Sequence, residues 1–507
     1  MVSSTQKLKN PLDAFVIELA IEFDNAYYEN NIPKTIELIK KAEEKLLALD
    51  VFSQANVCYS LGTSYGDIAT LDETLGTVEN LEKQLFYFQK SIKLLPPLEL
   101  TDPELLPYVN GLQLPLYTNY ANALDKCGRK LKALEMYNMA LNINPNFTMA
   151  MGNVGLTYSH YAYLVPDPVH RDYINHFAYH YLKRAIELGD DIAPGVMEKF
   201  KGAVGNYDDD YVKEMLIPPL NIPEYSYFDK ELDYRRWALN NKLFLNPLND
   251  LPVAELCFAA DVLHLPNMVV KVDAKPALHG LYNQLKQEYI FARYQFYESL
   301  EVPMDTHYAD KDTYLLQFGD YPLYSIRIEK MKSAFRILYS LLDKTAFFIN
   351  RYFNLGIPET NINFRSIWWS EKSGKNGYSY DNVLKPTENF FLSSLYWISK
   401  EIYEQKEYST NPLAKEMYEL RNSFEHKYVK IYSESFPKRT DGDIDDLAVY
   451  LSENRLKSIT LDLLKLIREV LINLSLAVHV EEIKKKSIDD KLTVKISYIT
   501  YEDEWKL

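Results

Sequence analysis

In AKEMYELRNSFEHKYVKIY (residues 414–432) an arginine, an asparagine and a histidine stand close together as Arg421, Asn422 and His426. None of the three is a residue type that a hydrophobic core requires. Their chemistry suits a phosphodiester. An imidazole takes up a proton near neutral pH and so assists attack by a neighbouring hydroxyl, a role worth roughly 10²–10⁴-fold in rate. A guanidinium fork grips two phosphate oxygens and steadies negative charge as it develops. A carboxamide orients either the phosphate or the ring by hydrogen bonding. No Asp or Glu cluster with ligand spacing accompanies the triplet, so the chemistry reads as metal-independent and no cofactor is expected.

The whole quoted stretch reads as a helix. Leu413, Met417, Leu420, Phe424, Tyr428 and Ile431 recur at steps of three and four and define a core stripe. Asn422 and His426 are one turn apart on another face, beside Tyr418 and Val429. Arg421 lies about 140° around the axis from His426, and its long side chain reaches the same groove. Arg421, Lys427, Lys430, Lys438 and Arg439 outnumber Glu425 and Glu434. Lys427 and Lys430 are therefore candidate contacts to a nucleic-acid backbone, with a solvated charged face as the plain alternative. The spacing recurs in RDYINH as Arg171, Asp172 and His176, but there it falls within a helical repeat, and position favours the later copy.

The chain of 507 residues exceeds what one hydrophobic core serves, and at roughly 150 residues per domain it holds at least two. Apolar residues at 47% with only 17 Gly favour long helices. A net charge of −15 confines any nucleic-acid site to a local patch. Cys58, Cys127 and Cys257 form no CxxC pair, which speaks against a disulfide framework or zinc site and for buried thiols in a reducing cytoplasm. The N-terminal MVSSTQKLKNPLDAF has no apolar signal region. In LDLLKLIREVLINLSLAVHV (461–480), Asp462, Lys465, Arg468 and Glu469 interrupt the apolar run, so it reads as an amphipathic bundle helix and no membrane contact is expected. His264, His279, His307 and His479 show no ligand spacing.

In LYTNYANALDKCGRKLKALEMYNMALNINPN, small and large apolar residues alternate at Tyr120, Ala121, Leu124, Ala133, Tyr137 and Ala140, and Pro145 closes the unit. This resembles the tetratricopeptide repeat, whose paired helices need small residues where they cross. One period of 34 residues on from Ala121 stands Gly155, followed by Tyr158 and then Ala178, Leu182 and Ala185 after an insertion. An earlier copy carries Leu61, Gly62, Tyr65, Phe88 and Pro96, and PKTIELIKKAEEKLLAL adds a further helix. One such pair cannot bury its apolar face alone, so three or four are expected to stack and to offer a surface for a protein or peptide.

Proline-rich LIPPLNIPEYSYFDKE (216–231) breaks the periodicity and marks a boundary. The organisation read is a helical repeat domain over 1–215, a linker and connecting segment over 216–275, and a helical bundle over 276–507. Four apolar-periodic segments supply the bundle: 276–300, about 323–354, a third comprising NFFLSSLYWISKEIYEQ and NPLAKEMYELRNSFEHKYVKIY, and a fourth starting at LSENRLKSI. SGKNG in the loop before the third segment lacks the Gly and Ser/Thr spacing of a phosphate-binding loop. Trp368 and Trp369 read as core or dimer contacts rather than base-stacking platforms.

An Arg, a polar residue and a His on the third helix of a four-helix bundle resemble the HEPN superfamily, whose RNase members carry this motif; here the positions are Arg421, Asn422 and His426. A repeat array followed by such a bundle looks like a tetratricopeptide-plus-HEPN branch met among bacterial defence and stress proteins. The resemblance implies an all-α fold, a homodimer in which two motifs face each other across a symmetric seam, and metal-independent RNA cleavage by 2′-hydroxyl attack that leaves a 2′,3′-cyclic phosphate. Lys427 and Lys430 become RNA-binding candidates, and the repeats a sensor for a protein or peptide in phage defence or a toxin-like response. The rival reading is a non-catalytic scaffold that binds partners through the repeats and uses the bundle to dimerise; a peptide-responsive regulator is weaker, because no helix-turn-helix reader precedes the repeats.

Overall fold

The computed structural model describes residues 12–72, 77–95, 101–189, 192, 194–207, 229–271, 277–302, 306–316, 321–368, 370–371, 378–379, 389–403, 412–434, 447–485, 493–495 and 503–506. They fall into two compact units. The first holds the described residues of Met1–Ala162, Ile174–Leu216 and Glu404–Pro412, and the second those of Tyr163–Tyr173, Ile217–Tyr403 and Leu413–Leu507. Gly374 and Lys375, Trp369, Lys438 and Arg439, and nearly all of the Pro-rich 216–231 stretch lie outside the described residues.

Among its described residues the first unit has helices and no strand. Short polar side chains start its early helices: Asp13 accepts the Phe15 N–H at 2.8 Å ahead of α1 (Ala14–Tyr28), Asn31 accepts that of Lys34 at 3.1 Å at the start of α2 (Ile32–Lys45), and Asp50 accepts those of Phe52 and Ser53 at 3.0 Å before α3 (Val51–Leu71). There follow α4 (Thr77–Leu94), α5 (Leu106–Lys126), α6 (Lys130–Ile143), α7 (Thr148–Leu164), α8 (Pro168–Leu188) and α9 (Pro194–Val204). Helices α3 and α4 pair, as do α5 and α6. Two of the small residues read in the repeats stand where helices approach closely. A Cβ on Gly62 would sit 2.6 Å from the Phe88 ring, and one on Gly155 would sit 2.6 Å from Leu182 and 2.9 Å from the Ala178 carbonyl. Ala121, Ala133, Ala140, Ala178 and Ala185 are fully buried. Cys58 and Cys127 are buried free thiols, while Cys257 of the second unit is half-buried. Burial pushes the Cys58 thiol up to about 12, so it is inert at neutral pH.

The second unit is built around one long helix. Helix α10 (Asp229–Asn240) leads into an irregular stretch and a short strand, β1 (Val269–Lys271). Then come α11 (Ala277–Glu301), α12 (Ile326–Tyr352), the antiparallel pair β2 (Ser370–Glu371) and β3 (Tyr378–Ser379), α13 (Phe390–Tyr403) and α14 (Pro412–His426). Strands β4 (Tyr428–Tyr432) and β5 (Ala448–Ser452) precede α15 (Glu453–Lys485), and β6 (Thr493–Lys495) pairs antiparallel with β1. Helices α11, α12 and α13 pack on α15. From Ile467 to Val478 every residue of α15 is buried, so this helix has no solvent face along its middle, where the sequence suggests an amphipathic one. Among the described residues no helix is long and apolar enough to cross a membrane.

Burial all round is tolerated because polar side chains along this stretch find partners. Arg468 donates to the Phe244 carbonyl at 2.6 Å, the Asn246 carbonyl at 3.1 Å and both Asp250 oxygens at 2.7 and 3.0 Å. Asn473 donates to Ser394 Oγ at 2.6 Å, and Ser475 Oγ to the His264 carbonyl at 2.7 Å. On α11, Arg293 binds both Asp261 oxygens at 2.9 and 2.7 Å, the Leu243 carbonyl at 2.9 Å and the Tyr234 hydroxyl at 2.8 Å. The irregular stretch is therefore no free linker over residues 243–251: every one of these residues is buried, and arginines of the bundle supply the donors that its carbonyls lack.

Arg468→Ala removes both guanidinium bonds to the buried Asp250 carboxylate and the one to the Phe244 carbonyl, and the expected loss is about 3–5 kcal/mol, measured as a fall in the denaturation midpoint of the second unit. The double substitution Arg468→Met with Asp250→Leu recovers only part of that loss, because the bond to the Phe244 carbonyl is not restored.

Candidate functional site

The sequence reads 414–432 as one helix, but the structure ends α14 at His426 and turns the chain into β4. The reason lies in YVKIY, where aromatic and β-branched residues alternate with lysine as a pleated surface prefers. Its partner AVYLS lies parallel to it, with Tyr428 opposite Ala448, Lys430 opposite Tyr450 and Tyr432 opposite Ser452. The fourth segment likewise begins as strand, with Leu451 and Ser452 in β5 and the helix starting at Glu453. Of the expected core stripe, Met417, Leu420 and Ile431 are buried and Phe424 meets Phe335 edge-on at 5.5 Å, whereas Tyr428 is exposed on the strand.

Within α14 the structure joins two of the three motif residues. Arg421 Nη1 donates to Asn422 Oδ1 at 3.0 Å, and the guanidinium lies 5.9 Å from the centroid of the Tyr339 ring of α12. Both residues are half-buried. Asp343, one turn beyond Tyr339, has its carboxyl pushed up by burial; the Phe364 N–H, 3.1 Å away, and the Arg421 charge pull it back down. His426, one turn on from Asn422, is exposed as the last residue of α14. Its imidazole has open access to solvent. The arrangement offers a half-buried guanidinium, held in orientation by a carboxamide and an aromatic face, and an exposed group able to exchange a proton.

The two lysines part company. Lys427 is exposed at the bend after the helix. Lys430 is only 6% exposed, with its ammonium 5.1 Å from the Tyr428 ring centroid and 5.7 Å from that of Tyr450. The earlier motif copy lies along α8, where Arg171 donates to the Val165 and Pro166 carbonyls at 3.3 and 3.4 Å and the His176 ring stacks edge-on against His180 at 4.3 Å. Trp368 is a core residue that donates to the Phe364 carbonyl at 2.8 Å. Among the described residues no group of three or more His, Cys, Asp or Glu gathers as a metal site would require.

The elements that hold α14 were not evident from the motif itself. Arg455 grips both Glu416 oxygens, with Nε at 2.8 Å from Oε1, and so ties α14 to α15. Arg327 of α12 reaches Glu453, the first residue of α15, which also pairs with Lys457 at 2.7 Å. Burial raises the Glu453 carboxyl, but these two cations more than offset it and hold it below the usual range. Glu434, just past β4, accepts from Ser452 Oγ at 2.9 Å and Asn454 Nδ2 at 2.7 Å and closes the junction.

Residues 269–481 match the family described as LA2681-like HEPN. The match opens at β1 and closes within α15, so it takes in every bundle helix and all of Arg421, Asn422 and His426. These residues constitute a HEPN-family domain, and the match does not extend over the helical pairs of the first unit. No curated protein and no solved structure matches the chain.

The differing environments of the two lysines give a stability test. Lys430→Ala removes a cation enclosed by two rings and should cost about 1–2 kcal/mol, whereas Lys427→Ala should change stability by less than about 0.5 kcal/mol; urea unfolding of the two variants side by side reads the difference.

Proposed function

We propose that this protein is a metal-independent endoribonuclease of the HEPN type. The observation that carries the reading is an exposed His426 one turn from a half-buried Arg421–Asn422 pair, inside a HEPN-family domain. Members of that family are generally ribonucleases, and their domains typically bind RNA and dimerise. Arg421 binds the non-bridging oxygens of the scissile phosphate and steadies the charge of the transition state. His426 takes the proton from the ribose 2′-hydroxyl, whose oxygen attacks the adjacent phosphorus as the 5′-oxygen of the next nucleotide leaves. The products are a 2′,3′-cyclic phosphate and a 5′-hydroxyl. Asn422 keeps the guanidinium turned toward the phosphate.

A single copy supplies one imidazole, and an exposed one at a helix end. Two copies meeting through this helix face would supply both an acid and a base, so we assign the working site to a homodimer. The helical pairs of the first unit, read as tetratricopeptide-like, serve as the sensor that restrains or targets cleavage by binding a protein or peptide, in keeping with a role in phage defence or a toxin-like response. The proposed division places the sensor in 1–215, the connection in 216–275 and the nuclease in 276–507.

Incubation of purified protein with RNA tests this directly. Arg421→Ala and His426→Ala are each expected to lower the cleavage rate by about 100-fold or more, with His426→Ala leaving the melting temperature unchanged, and EDTA should leave wild-type cleavage unchanged. Abolition by EDTA contradicts the metal-independent chemistry. Absence of cleavage under every trigger, with toxicity on expression unaltered by the two substitutions, supports the binding scaffold instead.

A further inference from the structure

The sheet that follows the motif presents side chains that the cleavage chemistry leaves unused. Alternation along β4 places Tyr428, Lys430 and Tyr432 on one face, and the parallel register sets Ala448, Tyr450 and Ser452 beside them. Because the residues opposite Tyr428 and Tyr432 are small, neither tyrosine is covered: they are 43% and 38% exposed. Tyr324 joins them, 49% exposed, with its hydroxyl 3.5 Å from that of Tyr428. Its segment is fixed alongside β4 by the Leu323 N–H, which donates to the Ile431 carbonyl at 2.7 Å. The Lys430 ammonium lies 5.1 Å from the Tyr428 ring centroid and 5.7 Å from that of Tyr450.

We infer that this face is a stacking platform for the unpaired bases of single-stranded RNA, which makes single-stranded rather than duplex RNA the substrate class of the proposed nuclease; the inference rests on that reading. Flat aromatic rings accept any base, but only a base freed from a duplex can reach them. The location fits, since Tyr428 follows His426 by two residues, so a base on its ring brings a flanking phosphodiester to the end of α14. The local charge fits too. On a chain of net charge −15, this face holds Lys430 and adjoins the exposed Lys427, a local setting that favours a polyanion.

The test uses the full chain carrying His426→Ala, so that bound RNA is not cut, with fluorescence anisotropy of a labelled oligouridylate and of an RNA duplex. Adding Tyr428→Ser with Tyr432→Ser should weaken oligouridylate binding about tenfold or more, while Tyr428→Phe with Tyr432→Phe should stay within about twofold because the rings remain. Duplex affinity should be lower at the outset and unmoved by either pair. Tyr324→Ser, which lies outside the strand, carries the same expectation if the double serine variant fails to fold. Undiminished oligouridylate binding in the serine variants, no binding by the parent, or a change of oligomeric mass in place of RNA affinity overturns the platform; the last outcome assigns the face to a second copy. The two proposals separate cleanly. RNA that binds through the tyrosines but is never cut by the natural chain removes the nuclease and keeps the platform, and cutting indifferent to the tyrosines does the reverse.

Discussion

The first turn of α15 is the point on which the rest of the HEPN domain depends. Glu453 is 6% exposed there and is held by Arg327 of α12 and by Lys457. Two residues on, Arg455 clasps Glu416 of α14. Strand β5 runs into this turn with no intervening residue, β4 pairs with β5, and β4 starts two residues after His426. An exposed imidazole thereby takes its position from a helix buried along its middle. Removing one charge of such a buried set leaves its partner stranded, which is why these pairs act as positional constraints more than as sources of net stability.

The same device recurs deeper in the unit. Arg293 and Arg468 are both almost wholly buried, each paired with an aspartate and each donating to carbonyls of the 243–251 stretch. A chain without regular secondary structure exposes carbonyls that only an added donor can satisfy in a dry interior. The arginines do so and make an irregular segment part of the core.

Much of the helical architecture was legible in the sequence, because 3.6-residue periodicity is a strong local signal. Gly62 and Gly155 stood out as small residues and do lie at close helix contacts. The motif residues Arg421 and Asn422 are joined in space, a bond that the sequence reading, which set Asn422 to orient the phosphate or the His426 ring, did not foresee. What else was missed depends on partners far away in the chain. Tyr428 and Ile431 fit a helical stripe as well as a strand, and only the pairing with AVYLS, beginning at Ala448, decides between them. Lys430 looked like a surface cation because its spacing to Lys427 says nothing of the Tyr450 ring that encloses it. The burial of 243–251 was illegible for a like reason, since Arg468 lies over two hundred residues downstream.

If the account is right, the nucleophile is an oxygen of the substrate itself, and the protein only positions and shuttles charge around it. The most direct measurement is cleavage of an oligoribonucleotide with a single mapped cut site, compared with the same strand carrying one 2′-deoxy sugar immediately 5′ to that cut. The expected result is loss of that cut alone in the deoxy strand, with a 2′,3′-cyclic phosphate on the product of the all-ribose strand by mass spectrometry. Continued cutting at the deoxy position, or a product ending in a 3′-hydroxyl, would contradict it.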